Sequence, residues 1–296
     1  MQTRSFNARM QIIYFCMAIP AMLIITIFII FPVLYNFLIS FTNFTLRAKD
    51  SGFVGFQNYI RFFTRPETLT VVKNTLHYML GVITVQFLLG FCSALALSYM
   101  KKGRAFASAV LFMPWVVSQV MAVTAWRLLF NDSYGLVNYF FVYLGLEPVK
   151  WFSNLDTVMW TVMGLNMWAG YGFTMTIMLA ALKSVPIELY EAAHVDGASW
   201  FKRLFYITLP MIVYSIATNL ILITIYTFNI FTYVFALTGG GPLNRTEVIG
   251  LTMYNTAFVS GRMGAGAAIA IVMIAFNLIL AAIYMKMLKK ADNDAL

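Results

Sequence analysis

The chain has 296 residues, 61% of them hydrophobic and 10% charged, with a mean hydropathy of +0.80. A globule of that size cannot hide so much apolar surface and still present a charged exterior, so the composition excludes a water-soluble fold and places the chain in lipid. The net charge of +9 does not argue for nucleic acid, because the basic residues sit in small groups between long apolar runs, the pattern of an inner-membrane protein.

A spanning helix needs about 20 mainly apolar residues. Such stretches occur at 12–41, 72–100, 105–130, 156–182, 210–236 and 265–288. They predict an all-α integral membrane protein with six transmembrane helices in a single domain, residues 1–296. The first stretch follows Arg4 and Arg9 as a secretory signal would, but it is too long for a signal peptide's apolar core and reads as an uncleaved helix. Pro20 and Pro32 remove helix hydrogen bonds and predict a bend near its outer end. Cys16 and Cys92 fall inside apolar runs without partners at metal-ligand spacing, so they read as small buried hydrophobes.

Lys and Arg in the loops set the orientation. One side holds Arg4, Arg9, the tight turn Lys101, Lys102 and Arg104, then Lys183, Lys202, Arg203, Lys286, Lys289 and Lys290. The other holds Arg47, Lys49, Arg61, Arg65, Lys73, Arg127, Lys150, Arg245 and Arg262. The dense 101–104 turn and the Lys-rich tail abut helix ends, and both termini are therefore expected in the cytoplasm. Segments 42–71, 131–155 and 237–264 then face outward. The first carries Phe53, Phe56, Tyr59, Ile60, Phe62 and Phe63 among polar residues, which suits a short helix in the headgroup region. Two readings stay open for it, an interfacial aromatic belt or a docking shelf for an extracytoplasmic partner.

Residues 183–209 have a helical design of their own. Pro186 suits a first turn, Glu188 and Glu191 favour the positive end of a helix, and Asp196-Gly197 supply a turn before a second helix from Ser199 to Thr208. Leu189, Ala192 and Ala193 share one face by their spacing and form a small apolar patch. Spacing alone allows an amphipathic helix on the inner leaflet as well as a contact for another protein.

Here the chain resembles a known family. Glu191-Ala192-Ala193, Asp196-Gly197-Ala198 and Ile207-Thr-Leu209-Pro210 are similar to the cytoplasmic signature of binding-protein-dependent ATP-binding-cassette importer permeases. Pro32-Val-Leu-Tyr35, Ser40-Phe-Thr42, Phe53-Val-Gly-Phe-Gln-Asn-Tyr59, Lys73-Asn-Thr75, Trp126-Arg-Leu-Leu-Phe130 and Leu237-Thr-Gly-Gly-Gly-Pro242 resemble recurring segments of the carbohydrate branch, the maltose and glycerol-3-phosphate type. The glycine run resembles that of the first of the two permeases such systems encode. The resemblance implies a type I importer permease fold in the bacterial inner membrane. It also implies partners: a second homologous permease, two ATP-binding subunits, an extracytoplasmic solute-binding protein and a sugar substrate. In that family the signature helix inserts into a cleft of the ATPase, which makes Glu191, Ala192, Ala193, Asp196 and Gly197 the coupling contact. Ser118 departs from the pattern, since many relatives carry a second proline there, and the local bend is the feature this leaves open.

Catalytic chemistry is missing from the sequence. The glycines at 239–241 are followed by Pro242 and Leu243 rather than by a lysine and a hydroxyl, so they cannot cradle phosphate. ATP and Mg are accordingly expected on partner subunits, and this chain is expected to bind no cofactor or metal and to be no enzyme. His77 and His194 lack the nucleophile and carboxylate partners of a triad. The spans lack Asp and Glu except Asp156 at a boundary, which disfavours a proton- or sodium-coupled carrier and equally a membrane-embedded lipid enzyme.

Uncharged polar and aromatic residues do occur within the spans. Any one of them alone reads more readily as helix-to-helix hydrogen bonding. Together they suit a sugar path, because aromatic faces cover a pyranose while amides and hydroxyls replace its water. The positions that match the lining of maltose-type permeases are Trp115, Gln119, Gly170, Phe173, Tyr226, Thr227 and Ile230. An anionic solute such as glycerol 3-phosphate would favour an arginine or a helix-start nest in the path. Arg127 alone offers one, near an outer end, and a neutral sugar is preferred.

Overall fold

The computed structural model describes residues 14–15, 17–47 and 52–293, with side chains as far as residue 286. Arg4, Arg9, Cys16 and Lys49 lie outside the described residues, as do the side chains of Lys289 and Lys290. The described residues are helical apart from turns and a single antiparallel bridge between Thr42 and Phe53. Four helices are long and apolar enough to cross a membrane: α1 (Met17–Ile39), α3 (Pro66–Tyr99), α7 (Val158–Ser184) and the Met263–Lys286 part of α13 (Met263–Asn293). Two further pairs reach that length only together, each bent sharply. They are α4 (Arg104–Val116) with α5 (Gln119–Leu129), bent by 93°, and α9 (Trp200–Met211) with α10 (Val213–Asn229), bent by 69°. Shorter helices are α2 (Gln57–Thr64), α6 (Leu136–Tyr143), α8 (Ile187–Val195), α11 (Thr232–Leu237) and α12 (Ile249–Tyr254).

The chain forms two compact units, Met1–Arg65 with Met253–Ile274 and Pro66–Thr252 with Ala275–Leu296. In the first, α1 presents apolar side chains along its whole length and buries none of its spanning window. A surface of that kind is at rest only against lipid or another apolar helix. Pro20 and Pro32 leave α1 continuous. A widened turn, Thr26–Ile30, lets the Phe31 N–H reach the Thr26 carbonyl just before Pro32, so the carbonyl that the ring would strike is moved aside. The segments around residues 40 and 58 interlock. Asn58 Nδ2 donates to the carbonyls of Ser40 and Thr42 at 2.8 Å each, and the Ser40 and Tyr59 hydroxyls bond at 2.6 Å.

The second unit is built on α3 crossing α7, with glycines where the backbones approach. A Cβ at Gly90 would stand 2.6 Å from Thr174 Cβ and 2.9 Å from the Tyr171 carbonyl oxygen. A Cβ at Gly172 would stand 3.0 Å from the Leu111 carbonyl, which marks the approach of α4. Small residues of this kind let helices pack closely where lipid supplies no hydrophobic drive between them. Two buried clusters result, one around Tyr78, Val82, Met163 and Leu165, the other around Ala94, Leu97, Met175 and Met178. Cys92 is exposed rather than buried, because it lies on the face of α3 turned away from α7. The Lys73-Asn-Thr75 segment also finds its role in this unit. Asn74 Nδ2 donates to the carbonyls of Asn244 and Glu247, and Thr75 Oγ1 accepts from the Ile249 N–H, so the segment anchors the stretch that follows the glycine run.

Candidate functional site

The sharp bend between α4 and α5 is made by Val117 and Ser118, both extended (ψ 132° and 138°), after Pro114 inside α4. The bend that Ser118 left open is therefore present without a second proline. Ser118 provides no side-chain cap for α5, so the first N–H groups of that helix face the corner without a partner from its side chain. A second interruption follows α10, where Ile230 turns extended (ψ 118°) before α11 begins. Tyr226 stands one turn ahead of it.

Four of the seven pathway residues meet at this corner. The Trp115 and Phe173 rings stack with centroids 4.8 Å apart, and Trp115 lies 5.8 Å from the Tyr226 ring at a tilt of 51°. Gln119 Nε2 donates to the Tyr226 hydroxyl at 3.2 Å. Trp115, Gln119 and Phe173 are half-buried, and Tyr226 remains 37% exposed. The group thus offers aromatic faces, an amide oxygen and a phenol to an open side, with no ionised side chain among its four members.

Gly170, Thr227 and Ile230 are packed inside instead. Gly170 backs onto Gln86: a Cβ there would meet Gln86 Oε1 at 2.5 Å, and the Gln86 amide donates to the Gly170 carbonyl at 3.2 Å. Ile230 belongs to the core around Tyr78. Thr227 is 1% exposed, and its Oγ1 has no hydrogen-bond partner among the described residues. Residues that sequence reasoning passed over are Gln86 and Tyr78, both fully buried, with Asn166 Nδ2 donating to the Tyr78 hydroxyl at 2.9 Å. A glutamine inside an otherwise apolar span was the available signal for Gln86.

At the other end of this unit, α8 ends in a Schellman closure. Ala198 N–H donates to the Ala193 carbonyl, Gly197 N–H donates to the His194 carbonyl, and Gly197 takes φ +73°. Only glycine holds that left-handed position without cost. Ser199 Oγ then accepts from the Lys202 N–H and opens α9. In α9 the widened turn Leu204–Thr208 precedes Pro210 with the spacing seen before Pro32. Tyr190 and Thr208 bond across the hairpin at 2.9 Å, and Trp200 Nε1 donates to the Tyr99 hydroxyl at 2.8 Å, which ties the hairpin to α3. Glu191, Ala192, Asp196 and Gly197 are exposed, whereas Ala193 is buried. The apolar patch expected from Leu189, Ala192 and Ala193 is thus divided: Leu189 and Ala192 face out, and Ala193 turns inward because the chain reverses against it.

Broken spans meeting at an aromatic and amide corner, with a rigid helix hairpin at one end, define a helical membrane transport subunit. The chain belongs to the family of binding-protein-dependent transport system inner membrane components, whose model matches residues 3–290. It is 33% identical over 272 residues to the trehalose/maltose transport system permease protein MalF of Thermococcus litoralis, covering 92% of each chain. It is 29% identical to the galactooligosaccharides transport system permease protein GanP of Bacillus subtilis, over 93% of this chain and 70% of that one. A chain in the crystal structure of a bacterial ABC transporter involved in the import of the acidic polysaccharide alginate superposes with a TM-score of 0.84 at 23% identity, covering 96% of this chain and 97% of that one. That likeness shows the type I importer permease fold.

Proposed function

We propose that this chain is the membrane-spanning permease of an ATP-driven importer for a neutral sugar or short oligosaccharide, and that Trp115, Gln119, Phe173 and Tyr226 form its contact with the solute. The observation that carries the reading is their convergence at the corner where α4, α5 and α10 are interrupted. Broken helices at mid-membrane depth are where transporters bind their cargo. Stacked Trp115 and Phe173 offer the apolar face a pyranose needs, while Gln119 and Tyr226 supply hydrogen bonds. Gly170, Thr227 and Ile230 support this surface from behind. The names of the trehalose/maltose and galactooligosaccharide relatives favour the same solute class.

Counted with each bent pair as one, the spans number six, with both termini in the cytoplasm. The α8–α9 hairpin then faces the cytoplasm and docks a nucleotide-binding partner through Glu191, Ala192, Asp196 and Gly197, with Ala193 fixing the turn from inside. A single hairpin offers one docking point, so a second homologous permease and a second ATP-binding subunit complete the assembly. ATP and Mg bind on those partners, and an extracytoplasmic binding protein delivers the sugar.

The experiment is reconstitution of the chain with its genomic neighbours in liposomes, with uptake of labelled maltose, trehalose and galacto-oligosaccharides measured. Uptake that requires both ATP inside and the binding protein outside is expected. Accumulation driven by an ion gradient without ATP, or transport by this chain alone, would overturn the reading.

A further inference from the structure

We propose that a pocket of the first unit is a binding site for the phosphate of an anionic phospholipid headgroup, held by Arg61, Arg65 and Arg262. The three guanidinium groups line one cavity of about 100 Å³ together with Asn43, Asn58 and Phe62. The cavity is small beside the roughly 300–1,000 Å³ of typical small-molecule sites, and suits a headgroup rather than a sugar. Its lining includes no Asp or Glu, and among the described residues no carboxylate pairs with any of the three arginines. Asp50 lies outside the described residues. Among the described residues the one side-chain bond the three make is from Arg61 Nη2 to Gln57 Oε1 at 3.4 Å, a long contact to a neutral partner. Three like charges brought into one pocket repel each other unless an anion joins them, and the guanidinium fork matches phosphate oxygens two at a time.

The geometry of α2 argues for a lipid as the source of that phosphate. Asn58, Arg61 and Phe62 recur at helical spacing on the face that lines the pocket, with Asn58 and Phe62 buried, and Arg65 joins them from the extended residue that ends α2. Phe56, Ile60 and Phe63 are exposed on another face, the division expected of a helix lying at the boundary between headgroups and acyl chains. Asn58 is locked by its bonds to Ser40 and Thr42, so the arginine face is held in place. Arg262 immediately precedes the apolar window that starts at Met263, which puts its guanidinium at headgroup depth. The apolar faces of Phe44 and Ile269 complete the lining. A phosphodiester in the arginine mouth, with its acyl chains along the exposed rings of α2, satisfies both halves of this surface.

The test is native mass spectrometry of the assembled importer, with phosphatidylglycerol or phosphatidylcholine added in equal amounts and inorganic phosphate as a soluble competitor. The parent complex is expected to retain phosphatidylglycerol preferentially. The R61Q/R65Q/R262Q variant is expected to lose that preference by roughly tenfold or more while still assembling. Should the triple variant fail to assemble, R262Q alone is expected to weaken retention, and K73Q, outside the pocket, to leave it unchanged. Equal retention of both lipids by the parent, or undiminished preference in the variants, would overturn the proposal. Phosphate that binds at millimolar concentration with no lipid retained would assign the site to a soluble anion instead. Unaltered lipid retention with lost stimulation of ATP hydrolysis by the binding protein would assign the arginines to an acidic protein partner.

Discussion

The pair α3 and α7 and the broken pair α4 and α5 are made from similar apolar residues, yet the structure uses them in opposite ways. The window of α7 is 67% buried, and its helix runs 27 residues without interruption. Glycines mark its contacts: its own Gly170 and Gly172 meet Gln86 of α3 and the Leu111 carbonyl of α4, and its Thr174 packs on Gly90 of α3. The α4–α5 pair turns through 93° at Val117 and Ser118 and leaves Trp115 and Gln119 half-buried at the corner. A continuous helix satisfies every backbone group within itself and can be buried wholly as scaffold. An interrupted one exposes backbone polar groups and re-aims side chains, which is what a polar solute needs inside a membrane.

The comparison breaks most severely if the scaffold is spread. Gly90→Leu would place side-chain atoms where Thr174 and the Tyr171 carbonyl stand, and neither the backbone oxygen nor the opposing helix can retreat. Overpacking of this kind costs about 1–3 kcal/mol or more. The expected outcome is loss of assembled complex in detergent, measured by co-purification of the partner subunits; normal recovery would mean that the α3–α7 crossing is not the scaffold.

A smaller effect is expected at the hairpin. A Cβ at Gly197 meets nothing within 4 Å, so Gly197→Val acts through backbone strain alone, about 1–3 kcal/mol at φ +73° for a β-branched residue. The subunit should still insert and assemble. Sugar-dependent ATP hydrolysis in liposomes should fall, and hydrolysis at the parent level would remove the hairpin from coupling.

The smallest effect is expected at the bend itself. Ser118 has φ −54° and follows an extended Val117 with ψ 132°, the geometry proline and the residue before it prefer. Ser118→Pro should therefore leave uptake unchanged and raise thermal stability by about 0.4–1 kcal/mol. A loss of stability would show that the corner does not hold the geometry proline needs, and a loss of uptake with stability kept would show that the corner must open during transport.

Much of this contrast was legible beforehand because its causes are local. Apolar run length located the four long helices, and Asp196-Gly197 announced the reversal after α8. The long reach of the second helix back to Pro66 was missed, because Glu67 and Lys73 break the apolar run without breaking the helix. The seven expected pathway positions are not alike in exposure: four meet at the corner and three are packed inside. Which face of α10 turns inward depends on α3 and α7, so sequence could not separate Tyr226 from Thr227. Nor could it foresee that Asn58 and Tyr59 each bond Ser40, since those contacts join residues 18 and 19 positions apart.

The central claim is that the corner formed by the broken spans touches the sugar, and Tyr226 tests it most directly because its ring meets Trp115 while its hydroxyl accepts from Gln119. Complex recovery, basal ATP hydrolysis and sugar uptake should be compared for Tyr226→Ala and Tyr226→Phe in the reconstituted importer. Normal assembly is expected in both, with uptake by the Ala variant weakened by the equivalent of about 1–3 kcal/mol and uptake by the Phe variant reduced only in part. Unchanged uptake in Tyr226→Ala, or a loss of uptake matched by a loss of assembled complex, would contradict the account.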